Sequence, residues 1–236
     1  MGAPLRVIIG EVVESIESVE IAELINNRIK TYGLLSRLFR VEVDDELLQK
    51  LKQMSFDVKI DDVKVAEGYR IWNECLAKAD SNTLLNLAID YARAFIGSGN
   101  TSNGAAYPYE SVYTSPKRLI MQDARDQVLE IYRSEELGKL NFNEPEDHIA
   151  LELEFMVHMN LKLAQQLNAS DITAALENLR KQQAFLTQHL LNWVPMFAKD
   201  IIKYARAGFY CGLAEVTAGF LELDRQVNDD LIAELE

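Results

Sequence analysis

The run from Ile149 to Leu167 carries apolar side chains on two stripes at once, Ile149, Leu153, Met156, Leu163 and Leu167 on one and Leu151, Phe155 and Met159 on the other. Both stripes repeat at helical spacing, and a helix that is apolar on more than one face has to be enclosed by other elements. The chain therefore needs a central helix and enough partners to cover it. The approach to this helix is polar: Asn141-Phe142-Asn143-Glu144-Pro145-Glu146-Asp147-His148. Asn143 followed three residues later by Glu146 has capping-box spacing, and Pro145 suits a first turn, where an N–H has no intrahelical partner. The spacing predicts a helix that starts inside this segment. Glu144, Glu146, Asp147 and His148 then form a polar mouth on a buried rod, which marks that end as the functional one.

The remaining patterns are also helical. Ile21, Ile25, Tyr32, Leu35 and Phe39 recur at helical spacing between Glu17 and Arg40, and Asp44-Asp45-Glu46 supplies the acidic first turn of a short helix to Met54. Phe56 to Ile60 alternates too briefly to form a strand without a partner and reads as loop. Val65, Tyr69, Trp72 and Leu76 define a helix between Asp61 and Ala79, and Ser81 caps another through Phe95. Gly97 to Gly104 is a polar break, followed by Tyr107-Pro108-Tyr109-Glu110-Ser111-Val112-Tyr113, where Pro108 argues for an extended loop rather than a strand. Pro116 is placed to open a helix through Leu119, Ala124, Val128 and Tyr132 to near Gly138. After the central helix, Ser170 and Asp171 cap a helix through Leu190 that Pro195 interrupts or restarts. The last helix, Phe209 to Leu231, carries Gly208, Gly212 and Gly219, which permit close approach of a neighbour. The fold class is all-α, a single multi-helical domain over 1–236 with roughly nine to twelve helices.

With 236 residues, 48% of them hydrophobic, the chain can bury a substantial core. Its net charge of -13 opposes nucleic acid and anionic membrane surfaces and favours a basic partner. Cys75 and Cys211 show neither CxxC nor zinc spacing, so no disulfide framework is expected and the compartment reads as reducing. Val7-Ile8-Ile9-Gly10 is too short for a signal peptide or a membrane span, and a cytoplasmic location is expected.

The three histidines are His148, His158 and His189. Glu152 follows His148 and Glu154 precedes His158 by one turn, but a di-iron bundle needs Glu-x-x-His on two helices. No phosphate-binding GxxxxGK[ST] occurs, Gly97-Ser98-Gly99 lacks a strand-then-helix setting, and Ser111 with His148 lacks a nucleophile elbow and a third member. No metal, nucleotide or other cofactor is expected, and no enzymatic activity. A helical enzyme using His148 with Asp147 or Glu144 as an acid/base pair is the alternative, and a plain scaffold a third reading. The tyrosines of 107–113 and the carboxylates of 144–148, each beside a chain break, suit a peptide that is both apolar and basic.

Glu144-Pro145-Glu146-Asp147-His148 opening an apolar helix resembles the E-P-x-D-H motif of the TorD/DmsD family, cytoplasmic chaperones that mature molybdenum-containing oxidoreductases. The segment from Tyr107 to Pro116 is similar to that family's aromatic-rich stretch. Tyr91-Ala92-Arg93-Ala94-Phe95-Ile96-Gly97 resembles its aromatic-x-Arg-Leu-Phe-x-Gly run, with Ala94 where a larger apolar residue is usual. Agreement continues through His189-Leu190, Trp193, Phe197 and Phe209-Tyr210. The resemblance implies an all-helical chaperone that binds the twin-arginine signal peptide of a molybdopterin oxidoreductase precursor until the cofactor is inserted, before export. It implies a monomer or a swapped homodimer, with lobes 1–138 and 140–236 hinged near Lys139. It also implies a peptide site around Tyr91, Arg93, Phe95, Tyr107, Pro108, Tyr109, Ser111, Tyr113, Glu144, Pro145, Asp147 and His148. There Asp147 and Glu144 are suited to guanidinium groups, the rings to the apolar segment, and His148, at a positive helix end, to neutral hydrogen bonding.

Overall fold

The computed structural model describes residues 5–56, 60–97 and 104–236, with side chains of the first helix from residue 19 onward. The polar break after Gly97 and the middle of the Phe56 to Ile60 segment lie outside the described residues. Ten α-helices occur among those that are described: α1 Leu5–Arg40, α2 Asp45–Gln53, α3 Val63–Ala77, α4 Thr83–Tyr91, α5 Glu110–Thr114, α6 Asp123–Ser134, α7 Ile149–Asn168, α8 Ile172–Phe185, α9 Leu191–Tyr204 and α10 Gly208–Leu235. Two π-helical turns are built into them, Ala92–Ile96 continuing α4 and Leu186–Leu190 joining α8 to α9. One isolated antiparallel bridge, Tyr109 with His148, is the only β pairing among the described residues. The chain is all-α.

Local chemistry sets many of the helix starts. Asp44, Asp62 and Asp171 each stand just before a helix and accept a backbone N–H two or three residues on, from Leu47, Lys64 with Val65, and Ala174 respectively. The central rod is α7, with Ile149, Leu153, Met156, Met159 and Leu163 fully enclosed. Helix α1 lies antiparallel along it: Ser36 Oγ donates to the Ala150 carbonyl at 2.8 Å, while Gly33 sits over Val157. Helices α3 and α10 form a second antiparallel pair, in which the Trp72 indole donates to the Phe209 carbonyl at 2.9 Å. Gly212 and Gly219 on α10 do let α3 close in, and Gly68 on α3 answers them.

Five expectations are corrected. The 107–113 segment is extended only as far as Tyr109, and a short helix, α5, begins at Glu110. Ser81 does not cap α4, which starts at Thr83 after Asn82 with no side-chain cap bond. α7 begins at Ile149, capped by His148, so the segment from Glu144 to His148 precedes the helix. It is held instead by pairing with the 107–110 stretch: Ile149 N–H donates to Pro108 O at 2.9 Å and Glu110 N–H to Asp147 O at 3.0 Å. α6 begins at Asp123, because Arg118 (φ 51°) and Met121 (φ 60°) are left-handed and break any helix from Pro116. Pro195 lies inside α9 without interrupting it, and the irregularity falls one turn earlier in the π turn, which directs both His189 and Leu190 inward. No described helix is long and apolar enough to cross a membrane.

Candidate functional site

Where the end of α1, the π turn after α4, the extended 107–109 segment and the approach to α7 meet, they leave a pocket of about 270 Å³. Its walls are aromatic. Tyr91 and Phe95 come from the π-turn side, Pro108 and Tyr109 from the extended segment, and Phe142 and His148 from the approach to α7. Its charged lining is Arg40, Glu42 and Glu144. The backbone bridge between Tyr109 and His148 fixes two of these walls against each other, and the two segments carry the buried residues Ala106 and Ile149 into the core.

His148 is the pivot. Its Nδ1 accepts the Ala150 N–H at 3.1 Å, which caps α7 and leaves the proton of the neutral ring on Nε2. The edges of Tyr109 and Phe142 meet the ring with centroids 5.1 and 5.2 Å away. Burial, with the Arg40 charge adding to it, lowers the imidazole pKa to about 3. The expected neutrality of this ring thus has desolvation as its main cause. Arg40 lies over the Phe142 ring at 4.4 Å and pairs with Glu154 at 2.7 Å, so one cation holds Phe142 in place. Tyr109 Oη donates to Glu144 Oε2 at 2.6 Å, and burial followed by this carboxylate raises the phenol's pKa.

Six of the twelve residues singled out in the sequence line this pocket: Tyr91, Phe95, Pro108, Tyr109, Glu144 and His148. Asp147 lies beneath it, fully enclosed, and accepts the Ser111 N–H at 2.8 Å; Ser111 is equally buried. Arg93 turns to Asp90 at 2.9 Å, and that carboxylate also takes the Arg206 and Ala207 amides ahead of α10. Tyr113 stacks on Trp193, and Tyr107 is 42% exposed outside the pocket lining. Pro145 accepts the His148 N–H at 3.1 Å through its carbonyl and turns the chain. Arg40, Glu42 and Phe142 were not legible, since none belongs to a motif; the only hint was the polar end of a long helix. Glu146 is taken by Lys139 at 2.9 Å and Arg125 at 2.5 Å, whose bonds overcome its burial and lower its pKa.

A second pocket of about 250 Å³ shares Arg40 with the first and is lined also by Leu137 to Leu140, Glu154, Phe155 and His158 among others. No cluster of three His, Cys, Asp or Glu side chains is placed to hold a metal among the described residues. The acid/base pairing of His148 with Asp147 or Glu144 is not formed: Asp147 bonds Ser111, Glu144 bonds Tyr109, and His148 bonds Ala150. An imidazole of such low pKa is also a weak base.

A helical shell with an aromatic, acid-edged pocket at the approach to α7 defines an all-α protein with a candidate binding site. Residues 61–199 match the family described as nitrate reductase delta subunit. The chain is similar to the chaperone protein TorD of Vibrio cholerae, with 33% identity over 151 residues; the match spans 64% of this chain and 66% of that protein's length. TorD of Aliivibrio salmonicida is 31% identical over 211 residues, covering 84% of this chain and 92% of that one. The fold is shared with a crystal structure of an Archaeoglobus fulgidus protein assigned a role in redox enzyme maturation, at a TM-score of 0.51 and 21% identity, over 83% of this chain and 93% of that one. The chain belongs to the TorD/DmsD-like family of redox enzyme maturation chaperones.

Proposed function

We propose that this chaperone binds the twin-arginine signal peptide of a molybdopterin oxidoreductase precursor in the pocket beside His148, and holds it in the cytoplasm for cofactor insertion before export. The observation that carries the reading is the pairing of an aromatic wall with the rim carboxylates Glu42 and Glu144. Guanidinium groups suit such carboxylates through charge-assisted hydrogen bonds, and the rings of Tyr91, Phe95, Tyr109 and Phe142 suit an apolar segment. The net charge of -13 adds long-range attraction for a basic peptide. Asp147, enclosed and already bonded to Ser111, shapes the site from below; the arginine-receiving role passes to Glu42 and Glu144.

The test is a titration of the full chain with a synthetic twin-arginine peptide at two salt concentrations. Glu42→Gln with Glu144→Gln is expected to weaken binding about tenfold or more and to flatten the salt dependence. Phe142→Ala is expected to weaken binding with the salt slope unchanged, because it removes contact area and no charge. A double glutamine variant that folds and binds like the wild type, with the same salt slope, overturns this placement of the site.

A further inference from the structure

Below the pocket lies a group of buried acids that the binding reading does not use. Glu110, Asp147 and Glu152 are 2%, 0% and 0% exposed, and they share their surroundings with His189, 3% exposed. Glu110 Oε2 lies 2.9 Å from His189 Nδ1, and Glu152 Oε2 accepts the Trp193 indole N–H at 3.0 Å. The other Glu152 oxygen, Oε1, is buried without a donor, although the Glu110 carboxyl is in hydrogen-bonding contact with Glu152. Two ionised carboxylates in contact have no proton to place between them, and a buried oxygen with no donor is costly.

We propose that Glu152 is a neutral carboxylic acid that donates its proton to Glu110, and that this shared proton positions α5, and with it the Pro108 and Tyr109 wall, against the start of α7. The chain of contacts is continuous. Glu152 lies on the first turn of α7, Glu110 opens α5, and the Glu110 N–H and Ser111 N–H both bind Asp147. One residue before Glu110 stands Tyr109, which faces His148 and Glu144.

Of the groups facing Glu152, the neighbouring carboxylates favour the acid form, while the Trp193 indole N–H favours the ion and is outweighed by burial and those charges. Glu110 faces it from α5, Asp147 from the approach to α7, Tyr132 from α6 and Trp193 from α9, while His189 on the π turn is spent on Glu110. The nearby cations Arg125 and Lys139 are engaged by Glu146. Burial pushes the Glu152 carboxyl well above the usual range, and the Glu110 and Asp147 charges push the same way. In the unfolded chain Glu152 ionises as an ordinary glutamate, so the folded state holds one proton more than the unfolded state above that pH. Stability conferred by the acid is then full below the unfolded pKa and is lost as pH rises towards the folded pKa.

Infrared spectroscopy of the full chain in heavy water at neutral pH reads this directly. A protonated-acid carbonyl stretch is expected that moves on labelling glutamate with carbon-13 and is missing from Glu152→Gln. The ratio of unfolding constants, wild type over Glu152→Gln, is expected to grow by about tenfold per pH unit above the ordinary glutamate pKa, until Glu152 ionises in the fold. A third arm rests on the binding reading above: a twin-arginine peptide should lose affinity at alkaline pH for the wild type and keep it for Glu152→Gln. If no peptide binds at any pH, the pocket's assignment fails while the infrared arm still decides the proton. A wild-type spectrum without a glutamate acid band, a band that survives Glu152→Gln, or a pH-independent stability ratio overturns the proposal; the labelled wild type decides it even where the variant does not fold.

Discussion

His148 joins a fold role to a site role in one ring. As the residue capping α7 it accepts the Ala150 N–H, and as the pocket's centre it is clasped by Tyr109 and Phe142. Its folded pKa of about 3 lies below the ordinary histidine value of 6.5. The unfolded chain therefore takes up a proton as pH falls below that value, while the folded chain does not. Stability from the neutral ring is present above about pH 6.5 and is lost as pH falls towards 3. His148→Asn keeps an acceptor at the cap and has no titration, so the gap in unfolding free energy between wild type and variant should close, or change sign, by on the order of 3 to 5 kcal/mol between neutral pH and pH 3. Denaturant melts at pH 7, 5 and 4 check this, and a gap that stays constant would show that the ring protonates inside the fold. The motif residues around His148 were legible as a group because they are consecutive. What the sequence concealed is that Asp147, one position away, faces the opposite direction, since the backbone pairing with Pro108 and Glu110 alternates side chains between pocket and interior.

At the scale of helices, packing distance separates glycines that matter from those that do not. A Cβ on Gly212 would stand 2.7 Å from Trp72 Cδ1 and 3.0 Å from the Gly68 carbonyl, and Trp72 is enclosed with nowhere to move. Gly212→Ala is expected to destabilise by about 1 to 3 kcal/mol. A Cβ on Gly33, in the middle of α1, would meet only Val157 Cγ2 at 4.0 Å, so Gly33→Ala should stabilise by about 0.5 to 1 kcal/mol. Thermal melts of the pair test the reading; equal shifts in both would mean that helix propensity, not the α3–α10 contact, governs them. These helices were largely visible in advance because apolar period and acidic caps such as Asp44 and Asp171 are local signals. The start of α7 and the loop before α6 were not. Asn143, Pro145 and Glu146 satisfy a local capping rule, but Lys139 and Arg125 draw Glu146 away and the 107–110 stretch pairs with the backbone. Leu119 read as part of a helix with Ala124, Val128 and Tyr132, yet it is exposed, as are Ile120 and Met121, on a loop whose left-handed residues no local pattern announced.

Across the whole molecule, a layer of buried polar side chains separates two apolar clusters. The larger includes Tyr32, Leu35 and the start of α7, and the smaller gathers Ile25, Leu163, Ala175, Leu179 and Leu231 at the other end of the same helices. Between them Arg28 of α1 meets Asp224 of α10 through two hydrogen bonds, at 2.6 and 2.9 Å, and Gln182 of α8 at 2.9 Å, while Tyr32 Oη donates to Asp224 at 2.6 Å. Burial disfavours the Arg28 cation, yet the Asp224 charge and hydrogen bonds outweigh it and its pKa is raised. Because three helices share the Asp224 carboxylate or its partner, they can slide past one another only by breaking charged, desolvated bonds. Asp224→Ala leaves a buried guanidinium without its counter-ion and is expected to cost about 3 to 5 kcal/mol. Adding Arg28→Met to Asp224→Ala removes the stranded charge and should recover part of that loss, since an apolar replacement of a buried pair is often neutral. A double-mutant cycle by denaturant unfolding measures both steps. If Asp224→Ala alone costs under about 0.5 kcal/mol, or the second change deepens the loss, water reaches this layer and the three helices are held by the two apolar clusters instead.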